Sequence, residues 1–206
     1  FILSAHRTEA SWERYQKNIG DARAELGGSA PAVDYCDGWH DHPLFIQSWL
    51  ELIEAAFGKI TPDRRSSTPL LFTAHSLPTA MAARSPYVDQ LHITARMIAE
   101  KLGRHKFSLA YQSRSGKPTD SWLEPDVGEA LRKLGADGNR EIVVAPIGFV
   151  CDHVEVLYDL DIEAKKIADD LGIEWIRASC PNDHPTFIRM IADVIEAKLK
   201  TPEDRG

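Results

Sequence analysis

The chain has 206 residues, 43% of them hydrophobic and 27% charged, and a formal net charge of −7. That length buries a core without staples, and the acidic balance with scattered basic residues excludes a general nucleic-acid-binding role. Three cysteines, Cys36, Cys151 and Cys180, lie far apart with no C-x-x-C, which argues against a disulfide scaffold or an all-cysteine metal site.

Short apolar runs alternate with longer amphipathic ones. In chain order the expected strands are FILSA (1–5), AVDYC (32–36), PLLFTAHS (69–76), FSLAYQS (107–113), EIVVAPIGF (141–149) and IEWIRAS (173–179). Each precedes a helix-like stretch, at 9–26, 43–57, 87–102, 126–135, 154–171 and 184–200. The alternation predicts an α/β fold with parallel sheets flanked by helices. The strands read as near-continuous apolar runs, as strands buried on both faces do. No apolar run reaches the roughly 18 residues of a membrane span, so no transmembrane segment is expected. Phe1 opens directly on a strand-like run with no basic segment before it, so no signal peptide is read and a cytoplasmic setting is expected.

Open parallel sheets bind ligands beyond the carboxyl ends of their strands. The residues there are His6, His75 with Ser76, Gln112 to Arg114, and Gly148 through Glu155. A histidine at such a place serves as a hydrogen-bonded structural residue, a proton acceptor or a metal ligand. Ser76 lacks a G-x-S-x-G elbow and is not read as a nucleophile. The SGKPTD loop (115–120) lacks the upstream glycine of a phosphate-binding loop. GWHDHPLF (38–45) reads as a helix start with Pro43 near its first position rather than as a metal site. His92 and His105 are assigned no role.

The stretch DHVEVLYDLDIEAKK (152–166) is the least ordinary. As a helix from Val154 it sets Glu155, Asp159 and Glu163 at successive i,i+4 positions, where like charges repel. Asp152 and Glu155 form a D-x-x-E capping pattern, but capping leaves Asp159 and Glu163 unexplained.

LLFTAHSLP, PYVDQLHITARMIAEKLG, YQSRSGKPTDSWLEPDV, VVAPIGFVCDHVEVLYDLDIEA and CPNDHPTFI stand in the order and spacing of the ferrochelatases, and the chain resembles that family from its first residues to about Lys200. The resemblance implies two similar α/β lobes with a porphyrin held between them and Fe²⁺, the substrate metal, inserted into it to form haem. His75 and Glu155 match the catalytic histidine and glutamate of the pocket. Asp159 and Glu163 match an acidic ridge leading outward, which implies a second divalent ion there. His6 and His153 match further histidines at the pocket, counted with the metal set. Trp122, Ser76 and Tyr111 are the implied porphyrin contacts. Some members carry a [2Fe–2S] cluster on four cysteines; three unrelated cysteines predict none here.

Against the family pattern, FILSAHRTEASWERY is similar to a strand late in the first lobe. Residues 36–176 then correspond to a complete second lobe, and 1–35 with 177–206 to a remnant of the first. The expectation is that the chain alone is inactive, and that a homodimer or a missing N-terminal segment covers residues 1–35. Two alternatives stand beside this reading. One is a related chelatase loading cobalt or nickel into a more carboxylated tetrapyrrole, and the other is a non-catalytic porphyrin- or haem-binding remnant.

Overall fold

The computed structural model describes residues 1–104, 106–115 and 119–200. His105 and the middle of the SGKPTD loop lie outside the described residues. The helices are α1 (Arg14–Leu26), α2 (Pro43–Phe57), α3 (Pro62–Arg65), α4 (Thr79–Ala82), α5 (Tyr87–Lys101), α6 (Val127–Ala136), α7 (Val154–Tyr158), α8 (Lys165–Asp170) and α9 (Pro185–Lys200). The strands are β1 (Leu70–His75), β2 (Ser108–Gln112), β3 (Glu141–Ala145) and β4 (Glu174–Arg177).

The four strands form one parallel sheet in the order β2-β1-β3-β4. β3 is buried along its whole length and β1 everywhere except His75, which is why both read as unbroken apolar runs. Parallel neighbours need long crossovers, and α5, α6 and the helical run from Val154 to Asp170 supply them. β1 and β2 pair from Leu71 with Ser108 to His75 with Gln112, so the carboxyl ends of both strands finish level.

Each helix starts for a local reason. Pro43 occupies the first turn of α2, and the His42 Nδ1 accepts the Leu44 N–H at 3.2 Å, so the histidine-rich GWHDHPLF stretch is spent on a helix cap. Asp126 and Glu129 close a reciprocal capping box on α6, at 2.8 and 3.0 Å. Phe45, Trp49 and Ile53 of α2 are fully buried on the sheet side. α9 docks on α2: the Phe187 ring lies 5.9 Å from Trp39 and 6.2 Å from Phe45, and Thr186 donates to Glu51 at 2.9 Å.

Residues 1–5 and 32–36 are not strands. An apolar run becomes a strand only beside a sheet edge that takes its backbone groups, and the edge of this sheet is elsewhere. Phe1 instead stacks on Trp39 at 5.3 Å, and the Trp39 indole N–H donates to the Ile2 carbonyl at 3.2 Å. The helix after it begins as a π turn over Glu9–Glu13, capped by Thr8, and continues as α1, none of whose residues is buried.

His6, expected at the pocket as a metal ligand, is a core residue. It is 3% exposed, lies edge-on to Phe45 and Tyr87, and its Nε2 meets the Thr94 hydroxyl at 3.0 Å. Thr94 also reaches the carbonyls of His40 and Gln90. Burial, with a lesser push from His40, lowers the His6 pKa from its ordinary 6.5 to about 3. The imidazole is therefore neutral in the fold, while the unfolded chain binds a proton as pH falls below about 6.5. Stability should thus be lost progressively from pH 6.5 towards 3, by up to about 1.4 kcal/mol per unit. Denaturant titrations of wild type and His6→Gln at pH 7 and 5 check this, the variant losing less on acidification.

Candidate active site

The candidate site lies at the carboxyl edge of the sheet. β1 ends at His75, and the chain leaving β3 folds back over it at Gly148. A Cβ on Gly148 would stand 2.6 Å from the Ala74 Cβ and 2.7 Å from its Cα, so only glycine permits the approach. The Gly148 N–H donates to the Thr73 carbonyl at 3.1 Å, which locks the loop to β1. From the other side the buried Tyr87 hydroxyl donates to the His75 carbonyl at 2.9 Å. Burial pushes the Tyr87 phenol well above its usual range, so it stays a donor.

With its backbone held, His75 turns its ring to Glu155, Nδ1 to Oε1 at 2.9 Å. Both side chains are partly open, 32% and 40% exposed. A carboxylate accepts and cannot donate, so Nδ1 carries the hydrogen and the lone pair sits on Nε2. The pair expected from the motifs is thus brought together, with one ring nitrogen anchored and the other free to take a proton or a metal.

Glu155 stands in the first turn of α7, and the helix that carries it is not uniform. Asp159–Ala164 forms a π turn between α7 and α8. Such insertions change the phase of the residues that follow and occur often at functional sites. The expected α-helical file of acids is therefore broken after its first member. Asp159 accepts from the Ser113 hydroxyl. Ser113 leaves β2 with φ 65°, a left-handed conformation unusual for serine. Asp159 and the exposed Glu163 line a crevice of about 280 Å³ together with Gln112, Asp126 and Arg132. Neither acid is tied to Lys165, which pairs with Asp169 at 2.7 Å.

The remaining expected residues are placed as follows. Ser76 is fully buried, and its hydroxyl donates to the Leu123 carbonyl at 3.1 Å. Tyr111 is 4% exposed. Ser76 through its hydroxyl and Tyr111 through its backbone N–H to the Pro125 carbonyl at 2.9 Å stitch β1 and β2 to the segment after 120, and Tyr111 also lines the crevice. Trp122 is half-buried and bridges Pro78 in antiparallel fashion, at the rim of the same edge. His153 is exposed, caps α7 only through its backbone, and meets Phe149 edge-on at 5.3 Å. Among the described residues no three His, Cys, Asp or Glu side chains form a group that could hold a metal ion.

Asp152 does not form the capping box that its spacing with Glu155 suggests. It accepts instead from Arg177 at 2.7 Å and from the Asn182 amide at 2.8 Å. Arg177, closing β4 and only 12% exposed, also holds Asp161 through two bonds of 2.7 and 2.8 Å. Burial alone would raise the Asp152 carboxyl, but the Asn182 bond and Arg177 outweigh it and hold it below the usual carboxylate range. Burial likewise opposes the Arg177 charge, and Asp161 and Asp152 more than offset it. This network pins the start and middle of the helical run beside Glu155. Sequence reasoning missed it; the one signal was an arginine at the carboxyl end of a short parallel strand.

The sequence matches the family Ferrochelatase over residues 1–199. The chain belongs to the ferrochelatase family. It is 37% identical over 202 residues to the coproporphyrin III ferrochelatase of Mycolicibacterium smegmatis, covering 97% of this chain and 59% of that protein. It is 37% identical to the coproporphyrin III ferrochelatase of a Geobacillus species, covering 97% and 64%, and 39% identical to the ferrochelatase of Rhodopirellula baltica, covering 97% and 57%. The chain thus spans about six tenths of the length of these relatives. Among solved structures, SirB from Bacillus subtilis with Fe³⁺ superposes with a TM-score of 0.66 at 8% identity, covering 94% of this chain and 68% of that one. DR2241 from Deinococcus radiodurans gives 0.52 at 12%, covering 81% and 32%. At such identities these two speak for the fold alone. No helix among the described residues is long and apolar enough to cross a membrane.

Two substitutions test how the ferrochelatase fold holds its carboxyl edge. Gly148→Ala should destabilise by about 1–3 kcal/mol, as overpacking at a closed contact does, and should broaden the His75 ring signals in NMR spectra. Arg177→Ala leaves two carboxylates without their buried partner and should cost about 3–5 kcal/mol in urea unfolding at neutral pH.

Proposed function

We propose that this chain carries the catalytic edge of a ferrochelatase that inserts Fe²⁺ into coproporphyrin III or protoporphyrin IX. The observation that supports it most is the His75–Glu155 pair, half-open at the carboxyl ends of a parallel sheet in a chain of this family. The relatives named as coproporphyrin III ferrochelatases favour the first porphyrin.

Insertion removes two pyrrole protons from the macrocycle and strips water from the ion. The free Nε2 of His75 accepts a proton, and the Glu155 carboxylate on Nδ1 fixes the ring and stabilises the imidazolium that forms. Carboxylate oxygens suit a hydrated divalent ion, and imidazole suits iron. Asp159 and Glu163 are the acids that meet the ion before the pair, and a second divalent ion would rest there. His153 and Trp122, at the rim, flank the macrocycle. The relatives are longer than this chain, so an opposite wall for the cleft comes from a further segment or from a second copy.

An anaerobic assay following the porphyrin Soret band tests the proposal with both porphyrins and with Fe²⁺ and Co²⁺. His75→Ala should lower turnover by about 10²–10⁴-fold, the usual weight of a general base. Glu155→Gln should lower it while leaving porphyrin affinity near wild type. Porphyrin binding without metallation, in the chain extended to the relatives' length, would favour a non-catalytic carrier. Preference for a more carboxylated tetrapyrrole with cobalt would favour the related chelatase.

A further inference from the structure

The amino edge of the sheet, opposite the candidate site, holds a cavity of about 660 Å³. β1 begins there at Leu70 and runs 6 residues to His75, so the two ends stand about 16 Å apart at the usual strand rise. The cavity opens between the turn before β1 and the turn before β2. Leu70, Leu102, Phe107 and Leu134 form its apolar side, and Ser66, Arg104, Lys106 and Ser108 its polar one. Both charged side chains of this lining are cations, and no carboxylate joins them. The crevice at the other end of the sheet is lined by Asp126, Asp159 and Glu163 with Arg132. In a chain of net charge −7, a hollow of only positive charge runs against the average sign.

Arg104 is the group to account for. Its guanidinium lies over the Phe57 ring at 3.7 Å and donates to the carbonyls of Thr68, at 2.9 Å, and Arg65. Those bonds fix the group and leave its charge uncompensated. Glu141, which accepts from Thr68 at 2.7 Å, is already paired with Arg64 at 3.2 Å. Burial opposes the Arg104 charge, and no anion offsets it. A cation drawn partly out of water without a counter-charge is costly, and a bound anion removes that cost. A guanidinium has five N–H donors, of which the two carbonyls take two. Lys106 is exposed and has no ion pair among the described residues, and the exposed Ser66 and Ser108 hydroxyls are likewise uncommitted there.

We propose that this amino-edge cavity binds a phosphate monoester with an apolar or aromatic body. The inference goes beyond the proposed metal insertion and does not depend on it. A held guanidinium, an ammonium and two hydroxyls form charge-assisted bonds to phosphate oxygens. A phosphate brings them about −1.5 to −2 of charge and three acceptor oxygens, where a carboxylate brings one charge and two oxygens. Leu102, Phe107 and Leu134 receive the body of the ester, and its burial adds affinity that an inorganic ion lacks.

An NMR titration of the isotope-labelled chain with phenyl phosphate tests this. The amides of Leu70, Phe107 and Ser108 should shift and saturate with a Kd of about 0.1–1 mM, the range of so small a ligand, while those of His75 and Glu155 stay in place. Phenol, the body alone, and inorganic phosphate, the head alone, should each bind at least about tenfold more weakly. Lys106→Glu, a change at an exposed side chain, should keep the thermal midpoint and weaken the ester by more than about tenfold. Ser66→Ala, a second exposed change, should weaken it by about threefold. Co-sedimentation with phosphatidylcholine vesicles containing phosphatidic acid assigns the ester to a lipid headgroup; saturable shifts without it assign a soluble ester. The proposal is overturned by the absence of saturable shifts at these amides, by phenol or inorganic phosphate binding as tightly as the ester, or by undiminished binding to both variants.

Discussion

Only a hydrogen fits at Gly148, and that close approach fixes where chemistry can happen in this fold. The loop leaving β3 must lie on Ala74, so the next residue of β1, His75, is pressed to the sheet by its backbone while its ring stays open. Tyr87 secures the His75 carbonyl. Because the strands are parallel and their ends level, everything that follows β1, β2 and β3 gathers at one edge. Gly148, Glu155 and Gln112 reach His75 only for that reason.

The helical run from Val154 to Asp170 works as a bridge across that edge. Its foot is tied by Asp152 and Asp161 to Arg177 at the end of β4, and its first turn delivers Glu155 to β1. The π turn then re-aims the chain so that Asp159 comes to rest on Ser113 beyond β2. The repulsion between stacked acids, which a plain α-helix would carry along its length, is relieved by geometry. One carboxylate faces an imidazole, the next a hydroxyl, and only Glu163 is left to solvent. A divalent ion or a proton crossing the edge meets acids held by different partners rather than a uniform stripe.

Much of this was legible in the sequence, and the exceptions have physical causes. Four of six expected strands and all six expected helices are present, because buried parallel strands and amphipathic helices write their periods directly into the chain. FILSA and AVDYC share that apolar signature but lack a free edge to pair with, and pairing is a property of the tertiary structure. His75 and Glu155 were legible from motif and from their place at strand ends. His6 follows a similar apolar run, but no strand forms there, and it lies in the core between Phe45 and Tyr87 with Thr94 as its partner. The D-x-x-E spacing precedes two helices: it caps at Asp126 and fails at Asp152, where Arg177 is the stronger partner. The π turn is invisible at the level of residue spacing, because i,i+4 acids look the same in either helix.

The helix α1 has a different standing from every other long element. It buries none of its residues fully: Gln16 and Ile19 are half-buried, and its anchor is the turn before it, where Trp12 is buried and donates to the Ser4 carbonyl. A helix of 13 residues on such terms is near the limit of what water tolerates. Within this chain it is therefore the long helix least tied to the sheet. Its amide hydrogens in this chain should exchange ahead of those of β1 and β3. Measured stability of the core then says nothing about α1, and a probe placed there reports a separate equilibrium.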